Sequence, residues 1–191
     1  FIYTYRNYKM IGRRIQNYEV ISLLGQGGMG SVYKVFDVNL ERYAALKILN
    51  PSMTHNSAFV ERFKREARNQ AKLMHPNIVS VYGFVEDKNI LGIAMEYIEG
   101  DTIESVIQVR GRIEFSYALE LILQILNGIE FAHQIGFIHR DLKPSNIILD
   151  LKGNPKIMDF GISKSIDELK TITQHNARPG TILYMSPEQL S

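Results

Sequence analysis

Two successive patterns predict an α+β chain built in two parts. Between Tyr18 and Ile98 short strand-like segments alternate apolar and polar residues around one helical stretch, and from Asp101 onward the periodicity is mainly helical. A glycine-rich turn, Gly25-Gln26-Gly27-Gly28-Met29-Gly30, separates the first two strand-like segments. Five strands with one main helix, then mostly helix, is a two-lobed arrangement. The expected parts are an extension over 1–17, a lobe with a five-stranded antiparallel sheet over 18–98, and a mainly helical part over 99–191.

Composition narrows the function classes. The 191 residues are 45% hydrophobic, enough for one sizeable core or two small ones. Charged residues make up 22% and the formal net charge is +2, which fits neither a disordered tail nor a strongly basic nucleic-acid binder. The absence of cysteine excludes disulfides and cysteine–zinc sites and fits a reducing, cytoplasmic compartment. No uncharged apolar run approaches the roughly 20 residues of a membrane helix. The longest candidate, Tyr117 to Ala132, carries Glu120, Gln124, Asn127 and Glu130. The opening stretch Phe1 to Lys9 is aromatic and basic without periodicity, and no function is assigned to it.

Each element has its own signature. Tyr18 to Leu24 reads as a strand, and Val32 to Asp37 alternates as a second. Gly25, Gly27 and Gly30 give G-x-G-x-x-G, and glycines there let backbone amides approach phosphates. A dinucleotide-binding loop uses similar glycines but runs into a helix; the β-branched Val32 and the alternation after Gly30 point to a hairpin instead. Tyr43 to Leu49 is a third strand, with Lys47 inside an apolar run. Ser57 to Met74 reads as a helix, with Phe59, Phe63, Glu66, Gln70 and Leu73 on one face and Glu61 opposite. Glu66 is thus a carboxylate on an apolar stripe, where it needs a partner, and Lys47 is the candidate. His75-Pro76 stops this helix; a metal role for His75 lacks a second ligand at useful spacing. Val79–Val85 and Leu91–Ile98 read as paired strands around a turn at Glu86-Asp87-Lys88-Asn89. Thr102 to Val109 is a short helix, and Ser116 is the expected N-cap of a long one ending near His133. Ile138 to Leu149 reads as strand, polar loop, strand, and Lys156-Ile157-Met158-Asp159 as a strand running into Phe160-Gly161.

Four motifs stand in order: G-x-G-x-x-G-x-V from Gly25 to Val32, Lys47 on the third strand, H-R-D-L-x-x-x-N from His139 to Asn146, and D-F-G at Asp159–Gly161. A lone D-F-G or glycine turn is weak; the ordered set is specific. From about Tyr18 onward the sequence resembles the eukaryotic-like (Hanks-type) serine/threonine protein kinases, especially the bacterial branch.

The resemblance implies a two-lobed protein-kinase-like fold and the cofactors ATP and Mg2+. It implies that Asp141 orients the substrate hydroxyl and accepts its proton, that Lys143 neutralises charge on the transferred phosphoryl group, and that Asn146 and Asp159 bind magnesium. It places the nucleotide on the glycine-loop positions Gly25, Gln26, Gly27, Gly28 and Gly30, on Val32 and Ala45, and on Lys47 paired with Glu66. Met95 lies at the back of the adenine pocket, and the backbone from Glu96 to Ile98 forms the hinge. His139 and Phe160 pack rather than catalyse. Lys143 and the Gly180-Thr181 pair favour serine/threonine over tyrosine substrates. Arg140 before Asp141 implies control by phosphorylation, with Thr171 and Thr173 as candidate sites. Gln70, where the family places an apolar residue, and Ser186-Pro187-Glu188 in place of A-P-E are departures.

The partners implied are ATP and protein substrates bearing Ser or Thr; no nucleic acid and no membrane segment is expected in this stretch. The family's domain continues through further helices after the activation segment, so the resemblance implies a fragment, with a membrane tether beyond Ser191 compatible with it. A nucleotide-binding pseudokinase or regulatory scaffold, or an inactive fragment, is the alternative.

Overall fold

The first unit takes its form from paired strands of alternating burial. The computed structural model describes residues 10–27, 30–54, 56–88, 90–160 and 183–187, without the side chains of residues 62 and 66. These fall into two units, residues 1–72 with 80–97 and residues 73–79 with 98–191.

In the first unit a six-stranded antiparallel sheet has the order β1-β2-β3-β4-β6-β5. The strands are β1 (Arg14–Ile15), β2 (Tyr18–Gly27), β3 (Gly30–Asp37), β4 (Arg42–Leu49), β5 (Val81–Asp87) and β6 (Ile90–Glu96). Five of them match the sequence expectation. The sixth, β1, lies in the stretch read as an extension, and its Ile15 is fully buried in the core. A two-residue strand carries no readable period. The core gathers Tyr18, Val20, Tyr33, Val35, Ala44, Leu46 and Ile48. By the two-residue alternation, Val32, Lys34, Ala45, Lys47, Ile93 and Met95 lie on the opposite face of the sheet.

Helix α1 (Pro51–Thr54) precedes α2 (Ser57–Gln70). Asn56 caps α2 by accepting from the Phe59 N–H at 3.1 Å. Phe63, Ala67 and Gln70 are buried, while Glu61 is exposed as expected. The helix is four residues shorter than its apolar period predicts. Leu73 leaves it and joins the core of the second unit.

The second unit is built on α3 (Ile103–Arg110), α4 (Phe115–Gln134), a 3-10 turn at Pro144–Asn146, and a small sheet of β7 (Gly100–Thr102), β8 (Ile147–Asp150) and β9 (Pro155–Ile157). The N-cap of α4 is Glu114, not Ser116: the Glu114 carboxylate accepts from Tyr117 N–H at 3.1 Å and from the Ser116 hydroxyl. An acceptor one turn before Tyr117 captures the free amides, so the helix starts earlier than a serine preference suggests. Leu121, Ile125, Gly128 and Ala132 form the buried stripe of α4. A Cβ on Gly128 would crowd the Ile157 side chain at 3.2 Å, so glycine eases the packing of α4 on β9. The strand expected at Ile138 does not form, and Ile138 is exposed.

Candidate active site

The residues implied for transfer gather in the second unit around one carboxylate. Lys143 Nζ lies 2.9 Å from Asp141 Oδ2. Asn146 Nδ2 donates to the Asp141 backbone oxygen at 2.8 Å and to Oδ2 at 3.2 Å. A cation and an amide thus hold one carboxylate in a fixed direction, on a loop stiffened by the turn at Pro144–Asn146.

His139 braces the same loop from behind. Its ring is 3% exposed and meets Phe160 edge to face at 4.6 Å. The Asp141 N–H donates to Nδ1 at 3.2 Å, and Nε2 lies 2.9 Å from the Met158 carbonyl oxygen. An accepting Nδ1 requires the Nε2–H tautomer, which donates to Met158, so the ring is neutral. Burial pushes its pKa below the ordinary value, outweighing the Met158 bond and the nearby carboxylates. His139 and Phe160 therefore pack, as expected, and His139 also fixes the backbone of Asp141.

Two non-glycine residues here have left-handed backbones: Arg140 at φ 64° and Asp159 at φ 61°. For arginine this conformation is costly and persists only where surroundings enforce it. The His139–Asp141 bond spans Arg140 on one side. On the other, Met158 N–H donates to the Asn146 carbonyl at 3.0 Å, bringing the residue before Asp159 against Asn146.

The donor chemistry of Asn146 and Asp159 suits a hard cation such as Mg2+. With Nδ2 spent on Asp141, the Asn146 carboxamide presents Oδ1, and Asp159 adds a carboxylate; hard oxygens of these two kinds suit Mg2+.

In the first unit, Gly25 pairs with Val32, Gln26 with Ser31 and Gly27 with Gly30, so the glycine motif is a hairpin tip. A Cβ on Gly30 would strike the Ile48 carbonyl oxygen, whereas one on Gly25 or Gly27 meets nothing within 4 Å among the described residues. Packing thus explains Gly30 but leaves Gly25 and Gly27 open to a ligand. Val32 lies directly across from Lys47, and Ala45 from Met95. Glu96 closes a reciprocal pair: its N–H donates to the Ser80 carbonyl at 2.8 Å, and Ser80 N–H donates to its carboxylate at 3.2 Å. Ile98 belongs to the second unit. His75 stacks on Phe131 at 5.3 Å and accepts from Asn77 N–H, which are structural tasks.

Gly28, Gly161, Thr171, Thr173, Gly180, Thr181 and Glu188 lie outside the described residues, as does the Glu66 side chain. The Glu96–Ser80 pair was not foreseen from sequence, because its partners are set by strand register.

The family pattern described as the protein kinase domain matches residues 18–191. The chain belongs to the protein kinase family. This kinase domain is homologous to bacterial Hanks-type serine/threonine kinases. It is 42% identical over 181 residues to the serine/threonine-protein kinase PrkC of Bacillus subtilis, covering 94% of the chain and 28% of PrkC. Against PknB of Mycobacterium leprae it is 39% identical over 176 residues, covering 90% of the chain and 28% of that protein. The crystal structure of the Mycobacterium tuberculosis PknI kinase domain superposes with a TM-score of 0.70 at 32% identity, over 80% of this chain and 61% of that one. The chain spans 28% of the length of these two curated relatives.

Proposed function

We propose that this kinase domain transfers the γ-phosphoryl group of ATP to serine or threonine hydroxyls of proteins. The Asp141–Lys143–Asn146 cluster carries the reading, because it places a carboxylate, an ammonium and an amide on one short loop. Asp141 orients the attacking hydroxyl and takes its proton. Lys143, 2.9 Å away, is placed to share its charge between that carboxylate and the transferred phosphoryl group. His139 keeps the Asp141 backbone in register. Asn146 and Asp159 would hold Mg2+, which would supply charge neutralisation at the phosphate oxygens.

In the first unit, the glycine-loop amides and Lys47 hold the phosphates, with Glu66 as the proposed partner of Lys47. Val32, Ala45 and Met95 bound the adenine. The Glu96 N–H is committed to Ser80, so what Glu96 offers the adenine edge is its carbonyl, and a backbone donor must come from further along the hinge, with Ile98 the candidate. This chemistry is mostly positioning and charge stabilisation.

Identification of the phosphorylated residues after incubation of the full-length protein with magnesium-ATP and a generic basic protein tests the substrate class. Phosphoserine and phosphothreonine are expected, and phosphotyrosine alone would overturn it. Nucleotide binding with no transfer would favour the pseudokinase alternative.

A further inference from the structure

The nucleotide-side face of the first unit carries a cation that neither the motifs nor the proposed mechanism uses. Lys34 lies on β3 two residues after Val32, directly across from Ala45, which is itself across from Met95. It therefore shares a face and a neighbourhood with three residues assigned to the adenine. Its ammonium sits 4.3 Å from the ring centroid of Tyr43 and 4.5 Å from that of Tyr97. The two rings meet each other edge to face at 6.4 Å, and Phe36 backs Tyr43 at 5.4 Å. Among the described residues no carboxylate lies within ion-pair distance of Lys34, so its charge is answered by two π faces.

The position of Tyr97 gives this cluster its meaning. Strand β6 ends at Glu96, so the sheet ladder stops one residue short of Tyr97. Glu96 is fixed by its two hydrogen bonds to Ser80. Tyr97, the central residue of the proposed hinge, is instead gripped through its ring by Lys34 from β3. Lys34 is half-buried, and its ammonium reaches the two rings.

We propose that Lys34, clamped between Tyr43 and Tyr97, is a positioning residue that sets the hinge backbone for the adenine edge. This rests on the reading of the domain as an ATP-dependent kinase. The clamp acts on nucleotide affinity and not on the transfer step, since the rings it holds, Tyr43 and Tyr97, belong to the first unit and the hinge.

The test uses the full-length protein and three variants: Lys34→Met, which keeps the stem and removes the charge; Lys34→Arg, which keeps a cation for the rings; and Tyr43→Leu, which removes one ring. ATP turnover gives KM and kcat, and a fluorescent ATP analogue gives Kd directly. Lys34→Met is expected to raise KM and Kd by about five-fold, the size of one partly buried cation–π contact, with kcat within about two-fold. Lys34→Arg restores both constants. Tyr43→Leu combined with Lys34→Met adds less than the two separate effects. Unchanged KM and Kd in Lys34→Met, or a lowered thermal midpoint as its only effect, would overturn the clamp. Nucleotide binding by the unaltered protein without phosphoryl transfer would defeat the kinase reading alone, and the Kd series would still decide for or against Lys34. No nucleotide binding by the unaltered protein overturns both.

Discussion

At the scale of single residues, two buried polar groups behave oppositely. Asp37 is fully enclosed but well answered: it accepts from the Asn17 amide at 2.6 Å and from the Asn39 and Leu40 N–H groups at 3.1 and 3.2 Å. Burial pushes its carboxyl up, yet these bonds and Arg42 outweigh it and hold the pKa below the ordinary 3.8. Folding therefore favours the charged form. Its contribution is complete above the unfolded value and is lost as the pH falls through the lower folded value. In thermal unfolding, the gap between the unaltered chain and Asp37→Asn should be widest near neutral pH and shrink below about pH 4; a gap independent of pH would contradict this. Gln70 is the reverse case. It is 1% exposed, and neither amide atom has a hydrogen-bond partner among the described residues. Replacement with an apolar side chain of similar length, Gln70→Met, should stabilise the chain by about 1–3 kcal/mol in denaturant titrations. A loss of stability would show that the amide has a partner.

At the scale of elements, the β2–β3 hairpin separates two reasons for glycine. Gly30→Ala drives a Cβ into the Ile48 carbonyl and should cost about 1–3 kcal/mol of stability. Gly27→Ala meets no atom of the described residues, so its stability should change by less than about 1 kcal/mol while its KM for ATP rises. Equal stability losses in both would remove the reason for assigning Gly27 to a ligand. The same hairpin shows what was legible in advance. Alternation after Gly30 and the β-branched Val32 distinguished a strand from a helix, and the loop from His139 to Asn146 could be read because its chemistry sits within one short stretch of sequence. Elements fixed by distant partners could not be read. Strand β7 exists through its pairing with β8, the Glu96–Ser80 pair needs the register of β6, and the Lys34 clamp needs Tyr43 and Tyr97 from two other segments. Lys34 itself was within reach, since it continues the Val32 alternation. The α4 cap went to Glu114 over Ser116 by local geometry that residue preference does not resolve.

At the scale of the whole molecule, α4 has a second apolar face that the described residues leave open. Phe115 is 80% exposed, and Leu119, Ile122, Leu123 and Leu126 follow it at helical spacing, all exposed. A continuous apolar stripe of this kind drives association in water. Sedimentation of the 191-residue chain should show concentration-dependent self-association, relieved by Leu119→Gln with Leu123→Gln and Leu126→Gln at unchanged helical content. A monomer at every concentration would contradict it. The proposed transfer turns on one carboxylate held by Lys143, Asn146 and the His139-braced backbone. The most direct measurement is the rate of phosphoryl transfer from magnesium-ATP by the full-length protein and by Asp141→Asn, with nucleotide Kd measured beside it. The prediction is a loss of transfer by about 10²–10⁴-fold with Kd little changed, the size of a lost general base. Transfer that survives Asp141→Asn, or an unaltered protein that binds nucleotide and transfers nothing, would contradict it.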